Sequence, residues 1–295
     1  MNNILRAGQE LDPYIRRSED GAFFATYKDF VLKSAFQPIV TPDGEIFAFE
    51  ALLRVEHASG FCLDTGSVIE SYLEHTVDLI NVDRLSRNVH LRNFARLGLP
   101  TNLFINVTPI ALLDSAARQD TESLLLTTLS AMNLNPSCIY LEVLEHPCDD
   151  EHCLTRTLHS LRRHGVKVAV DDYGMGASSM SRTTAMRPDV LKISKPLLDS
   201  YVAGDTQPMI EALSVAAAIS AQVLIEGIED QPSCELAKAL GADLLQGYFT
   251  GRPCSIPAYR PQTDCKLLPS GSVSGGAVTG SVSSLTVPKS PFYPC

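Results

Sequence analysis

Short apolar runs, each closed by an oxygen-bearing side chain, recur along this sequence. Glu50 closes Ile46-Phe47-Ala48-Phe49, Asn106 closes Leu103-Phe104-Ile105, and Glu142 closes Ile139-Tyr140-Leu141. Asp171 and Asp172 close the run from Val166 to Val170, Glu226 closes Val223-Leu224-Ile225, and Gln246 closes Asp243-Leu244-Leu245. Runs of this length read as buried parallel strands. The pattern predicts strands at 35–40, 46–52, 103–107, 138–142, 166–171, 189–193, 222–226 and 242–246. Thr41-Pro42-Asp43-Gly44 joins the first two and is too short for a crossover, so that pair reads as an antiparallel hairpin.

Between the later strands the period changes to three and four. From Val68 onward, Ile69, Leu73, Val77 and Ile80 share one helical face, and 109–133, 151–164, 196–220 and 231–240 read likewise. Pro109, Pro196 and Pro232 lie near helix starts, and Gly165 and Gly241 follow helix ends. Repeated strand–helix alternation predicts an α/β fold with helices over a parallel sheet. Eight strands in roughly 220 residues predict a closed (β/α)8 barrel with an antiparallel opening pair. An open doubly wound sheet is the alternative. A barrel gathers its strand ends on one rim, whereas an open sheet spreads them along a line. Residues 1–33 read as an N-terminal helical extension to a domain at 34–258. In 259–295, the stretch 270–284 is nearly all Gly, Ser, Val, Thr and Ala, and Pro288, Pro291 and Pro294 follow, which predicts a disordered tail.

Composition narrows the function. The chain has 295 residues, is 45% hydrophobic and 20% charged, and carries a formal charge of −10. No basic cluster of the kind that grips DNA or RNA phosphates is present. No apolar stretch is long enough to span a bilayer and none opens the chain as a secretory signal, so a cytoplasmic protein with no membrane contact is expected. The eight cysteines are irregularly spaced and read as reduced thiols. His146, Cys148, His152 and Cys153 match no common zinc spacing and read as ordinary loop residues. Oxygen ligands at five strand ends instead suggest a ring converging on hard cations.

The segments Phe49-Glu50-Ala51-Leu52-Leu53-Arg54, Phe36-Gln37-Pro38-Ile39-Val40, Ile105-Asn106-Val107-Thr108-Pro109 and Leu141-Glu142-Val143-Leu144-Glu145 occur in a telling order. Asp171-Asp172-Tyr173-Gly174-Met175-Gly176, Leu191-Lys192-Ile193, Glu226-Gly227-Ile228-Glu229 and Gln246-Gly247-Tyr248-Phe249 complete the series. This series resembles the EAL domains, bacterial cyclic di-GMP phosphodiesterases, from about residue 33 to 257. The resemblance implies a modified TIM (β/α)8 barrel with an antiparallel first strand. It also implies hydrolysis of cyclic di-GMP to linear pGpG with Mg²⁺ or Mn²⁺.

By that resemblance, Glu50, Asn106, Glu142 and Asp171 would hold a first ion. Asp171 would bridge to a second, served by Asp172 with Glu229 or Glu226. Two such ions can neutralise a phosphodiester and activate a water. Glu50, Lys192 and Glu226 would act in catalysis, Lys192 by orienting the water or stabilising the phosphoryl group; a plain ion pair is the other reading of Lys192. Arg54 would fork a substrate phosphate, or form a rim salt bridge. Gln37, Leu52 and Gln246 would contact substrate, although either glutamine could instead satisfy loop backbone. Glu145 would pin the loop after the paired aspartates, through which dimerisation acts in relatives, so a homodimer or a regulatory protein partner is compatible with the resemblance. Ser194 stands where the family usually has Asp, Met175 where it has Thr, and Ala177 where it has Tyr. Leu144-Glu145-His146 also departs from the usual Thr-Glu-Ser or Thr-Glu-Thr. None removes an expected ligand, which favours an active enzyme over a low-turnover cyclic di-GMP receptor or a protein-binding regulator. No sensory or cyclase domain is legible in the first 33 residues.

Overall fold

A computed structural model describes residues 3–5, 8–72, 75–98, 100–114, 121–144, 148, 150–173 and 180–255. Eleven strands occur among them: β1 Ile15–Arg17, β2 Phe23–Tyr27, β3 Phe30–Val40, β4 Ile46–His57, β5 Cys62–Leu63, β6 Asn102–Val107, β7 Ile139–Val143, β8 Lys167–Tyr173, β9 Val190–Ile193, β10 Gln222–Ile225 and β11 Leu244–Leu245. Eight close into a barrel in the order β3-β11-β10-β9-β8-β7-β6-β4, sealed by the β3–β4 pairing. β3 is antiparallel to both neighbours and the other barrel pairs are parallel. This is the modified TIM barrel that the sequence pattern predicts, and each of the eight expected strands has its counterpart.

The interior of the barrel is filled by Ile39, Ala48, Phe104, Tyr140, Ala169, Val190, Leu224 and Leu244, one residue from each strand. Phe104 and Tyr140 stack with ring centroids 4.3 Å apart beside the two alanines, so large and small side chains share one layer. A larger core lies between the outer faces of the strands and the helices, including Leu103, Leu141, Val168 and Leu191 from strands and Leu154, Leu158, Ala212 and Val215 from helices.

Residues 1–33 depart from the helical extension expected. Among those described, a single helical turn, Gly8–Leu11, precedes a short 3-10 turn and the strands β1 and β2, and β3 already begins at Phe30. β1 and β2 add to the free edge of β3 in antiparallel register, giving with β4 and β5 an antiparallel apron on the barrel. Ladder pairing with β3 overrides local helix preference there. The helix Thr76–Leu97 packs against this apron. The proposed tail at 259–295 lies outside the described residues.

Three helical segments expected to be continuous are each divided. The face read from Val68 to Ile80 falls on two helices, Thr65–Tyr72 and Thr76–Leu97, with His75 at the N-cap of the second. Lys195–Val202 and Gln207–Ile219 are separate helices, because Gly204 takes the left-handed conformation (φ +100°) and Pro208 sits in the first turn of the second. Pro109–Leu113 and Thr121–Ala131 are likewise distinct. A further helix, Met180–Met186, was not legible in the pattern.

Candidate active site

Side chains on a strand alternate between its faces, so the residue two places beyond the interior apolar layer points into the barrel again. On every strand that position carries a polar group: Glu50 follows Ala48, Asn106 follows Phe104, Glu142 follows Tyr140, and Asp171 follows Ala169. Lys192, Glu226 and Gln246 do the same on or just beyond β9, β10 and β11, and Gln37 precedes Ile39 on the antiparallel β3. Eight predicted site residues thus form one polar layer directly above an apolar plug.

Lys192 is the hub of this layer. Its Nζ lies 2.8 Å from Asp171 Oδ1, 2.8 Å from Glu226 Oε1 and 3.8 Å from Glu50 Oε2, and it also donates to Glu142 Oε1. Burial alone would lower the lysine pKa, but Glu226 and Glu50 outweigh it and hold the ammonium charged. One ammonium faces four carboxylates, so the cluster keeps a surplus of negative charge. Burial pushes the Asp171 carboxyl well above its ordinary range, and the charges of Glu226, Glu50 and Asp172 push the same way. Glu226 is raised chiefly by burial, against the lowering effect of Lys192, and Asp172 by burial and then by Glu50.

Asn106 Nδ2 donates to Glu50 Oε1 at 3.2 Å, and Gln246 Nε2 donates to Glu50 Oε2 at 2.6 Å. That second bond fixes the Gln246 amide, since its oxygen would repel the carboxylate. Gln246 Oε1, Glu142 Oε2 and Ser194 Oγ are buried without a hydrogen-bond partner among the described residues. Buried oxygens rarely stay unpaired.

The paired aspartates reach the mouth by a device the sequence did not reveal. On a regular strand, neighbours point to opposite faces. β8 instead continues through Tyr173 with a register shift against β9 between Val170 and Tyr173, and Asp172 adopts φ +48°. As a result, oxygens of Asp171, Asp172 and Glu226 lie within 4.8 Å of one another. Glu50, Glu142 and Glu226 form a second such group, so the two share Glu226. Glu229 belongs to neither group. Its side chain is 53% exposed and sits 3.6 Å from Lys195 Nζ.

The outer site residues are less constrained. Gln37 Nε2 donates to the Gly251 carbonyl at 3.1 Å, Arg54 is exposed and donates to its neighbour Leu53 O at 3.0 Å, and Leu52 is half-buried. Glu145 and the loop residues Met175 and Ala177 lie outside the described residues. A cavity of about 340 Å³ opens over the layer, lined by Gln37, Glu50, Asp172, Glu226, Glu229 and Gln246 among others. Ser194, Lys195 and Tyr248 also line it; Ser194 stood out in the sequence as a departure from the family, Tyr248 only as a member of the series ending in Phe249, and Lys195 not at all. The two-residue alternation that links Lys192 to Ser194 and Gln246 to Tyr248 could have marked both of those positions. Gly247 has no room for a side chain, because a Cβ there would lie 2.0 Å from Ile228 O.

The family model for the EAL domain matches residues 28–253. The chain belongs to the EAL domain family. A relative, the cyclic di-GMP phosphodiesterase RocR of Pseudomonas aeruginosa, is 29% identical over 254 residues, which is 81% of this chain and 59% of RocR. An uncharacterized signaling protein of Caulobacter vibrioides is 28% identical over 229 residues, 76% of this chain and 27% of that protein. The chain therefore spans only part of the curated relatives it matches. Among solved structures, the c-di-GMP complex of the PaMucR phosphodiesterase superposes with a TM-score of 0.67 at 25% identity, covering 76% of this chain and 92% of that one. The manganese/cy-diGMP complex of Klebsiella pneumoniae BlrP1 gives 0.65 at 26% identity, covering 76% and 56%. Among the described residues, no helix is long and apolar enough to cross a membrane.

Proposed function

We propose that this EAL domain hydrolyses one phosphodiester bond of cyclic di-GMP to give linear pGpG, using Mg²⁺ or Mn²⁺. The observation that carries the reading is the pair of three-carboxylate groups joined at Glu226, at a mouth where four carboxylates face a single ammonium. The residues fit divalent ions: the donors are hard oxygens, Glu142 Oε2 lacks a partner among the described residues, and four carboxylates face one ammonium. Glu50, Asn106, Glu142 and Glu226 would hold one ion, and Asp171, Asp172 and Glu226 the other, with Glu226 rather than Asp171 shared and Glu229 at the lip. Bound divalent ions would supply charge neutralisation and an acidified water.

The remaining roles belong to the chain's own groups. Lys192 holds Asp171 and Glu226 in place and presents its positive charge to the phosphoryl oxygens. Gln246, oriented by Glu50, turns an acceptor oxygen toward the cavity for a donor on water or substrate. Arg54 binds a phosphate in a fork, and Gln37 and Leu52 border the nucleotide.

Chromatographic product analysis tests the reading. Purified protein with Mg²⁺ or Mn²⁺ converts cyclic di-GMP to pGpG, and Glu50→Ala abolishes the conversion. Intact cyclic di-GMP after long incubation with saturating metal rejects hydrolysis; tight binding in that case would make the chain a receptor.

A further inference from the structure

Ser194 follows Lys192 by two residues, and its backbone stays extended (φ −68°, ψ 154°), so its side chain continues the inward-facing column of β9. It also occupies the N-cap position of the helix Lys195–Val202. A serine there ordinarily accepts a hydrogen bond from a backbone N–H of the first turn. This one makes no cap bond. The residue is 2% exposed, and its Oγ has no partner among the described residues. A buried hydroxyl left unpaired destabilises a fold, so a partner is missing, and the cavity that Ser194 shares with Asp172 and Glu226 is where it can sit.

Direct coordination is a poor assignment for a neutral hydroxyl in a cavity that Glu50, Asp172 and Glu226, better ligands, also line. A hydrated ion fits instead. Mg²⁺ dehydrates reluctantly and keeps several waters even when carboxylates bind it. Such waters are strong donors, and a serine oxygen offers lone pairs to receive one. We infer that Ser194 is a positioning residue for Mg²⁺, its hydroxyl holding a water of the ion's hydration shell on the Asp171–Asp172–Glu226 side of the mouth. The inference rests on the metal-dependent reading of the site given above.

Calorimetric titration of the full chain with MgCl₂, paired with thermal melts in chelator, tests it without substrate. Ser194→Ala weakens Mg²⁺ binding about tenfold, the scale of a lost outer contact to a metal site. Its metal-free melting temperature stays level or rises, because an unpaired buried hydroxyl has gone. Ser194→Thr, which keeps the hydroxyl, restores most of the affinity. Wild-type Mg²⁺ affinity in Ser194→Ala overturns the inference. So does a lower metal-free melting temperature with unchanged affinity, which would make the serine a helix cap. If the wild type binds no Mg²⁺, this inference falls, and the phosphodiesterase reading falls with it only if Mn²⁺ supports no conversion of cyclic di-GMP either; if it binds Mg²⁺ without hydrolysing cyclic di-GMP, only the phosphodiesterase reading falls.

Discussion

The barrel mouth and the helix Thr76–Leu97 both bury charge, and they handle it in opposite ways. Along the helix, Asn81, Asp83, Arg84 and Asn93 are each answered by a protein partner; Arg87 is ion-paired to Asp83, with its buried Nε lacking a hydrogen bond among the described residues. Asn81 accepts from Leu5 N at 2.8 Å and donates to Asn3 O and Tyr27 Oη, each at 3.0 Å. Arg84 donates to Leu5 O at 2.7 Å and to Asp114 at 3.2 Å. Asn93 clamps both backbone groups of Phe23 at 2.7 Å. Asp83 Oδ2 accepts from the Thr108 backbone at 2.8 Å, while its Oδ1, which lacks a well-angled hydrogen bond, still lies 2.6 Å from Arg87. At the mouth, carboxylates outnumber the ammonium and three buried oxygens have no hydrogen-bond partner among the described residues. The helix uses buried polarity to fasten the N-terminal strands. The mouth leaves polarity uncompensated, which suits a cation but does not stabilise the fold.

The largest contrast lies in what substitution does. Glu142→Gln at the mouth lowers hydrolysis of cyclic di-GMP by at least about 100-fold, more than loss of an outer-sphere group would. The metal-free melting temperature holds or rises, because one of four crowded carboxylates is gone. Mg²⁺ at a hundred times its dissociation constant stabilises the wild type by about 2.7 kcal/mol, and the variant far less. A drop in metal-free stability comparable to that of a core mutant would erase the distinction. Asp114→Ala, at the helix, strands Arg84 in the interior and costs about 3–5 kcal/mol in denaturant melts, while kcat of the folded fraction is unchanged.

Acid titration separates the regions by sign. Burial, with Arg54 adding to it, holds His90 down at about 3, where its Nδ1 shares a 2.7 Å hydrogen bond with Ser34. A depressed histidine makes the unfolded chain the better proton binder, so its contribution is full above pH 6.5 and is lost as pH falls toward 3. The slope is about 1.4 kcal/mol per pH unit in that window, and His90→Gln removes it. Asp171, Asp172 and Glu226 are raised, so their contribution is present at acid pH and is lost as pH rises through their folded values. Divalent metal flattens that second limb and leaves the histidine limb intact; melts across pH with and without Mg²⁺ read both. The smallest effect belongs to a partly exposed pair on the apron. Lys33→Ala, which removes the 2.6 Å contact to Glu56, changes stability by less than about 1 kcal/mol.

The same contrast explains what could be read beforehand. The polar layer was legible because barrel strands obey a period of two and are apolar on both faces until the mouth, so Glu50, Asn106, Glu142 and Glu226 stood out as endings. The helix 76–97 was only partly legible, since its inward positions include Asp83, Arg84, Asn88, His90 and Asn93, and hydrophobic periodicity cannot find a polar buried face. β1 and β2 were read as helical because nothing local distinguishes three to five residues that become strands only by pairing with each other and, through β2, with β3.

Sequence alone determined the eight strands, their antiparallel opening and the polar endings Glu50, Asn106, Glu142, Asp171, Glu226 and Gln246, because an apolar run closed by a polar residue is a local pattern; Gln37 and Lys192 entered only through the resemblance to the EAL domains. The tertiary structure decided which carboxylates meet. A bulge at Asp172 brings adjacent aspartates to one side, Glu226 lies in both groups, and Glu229 is drawn to Lys195 instead. Those outcomes depend on backbone kinks and on distances between residues far apart in the chain, and no local pattern encodes a distance.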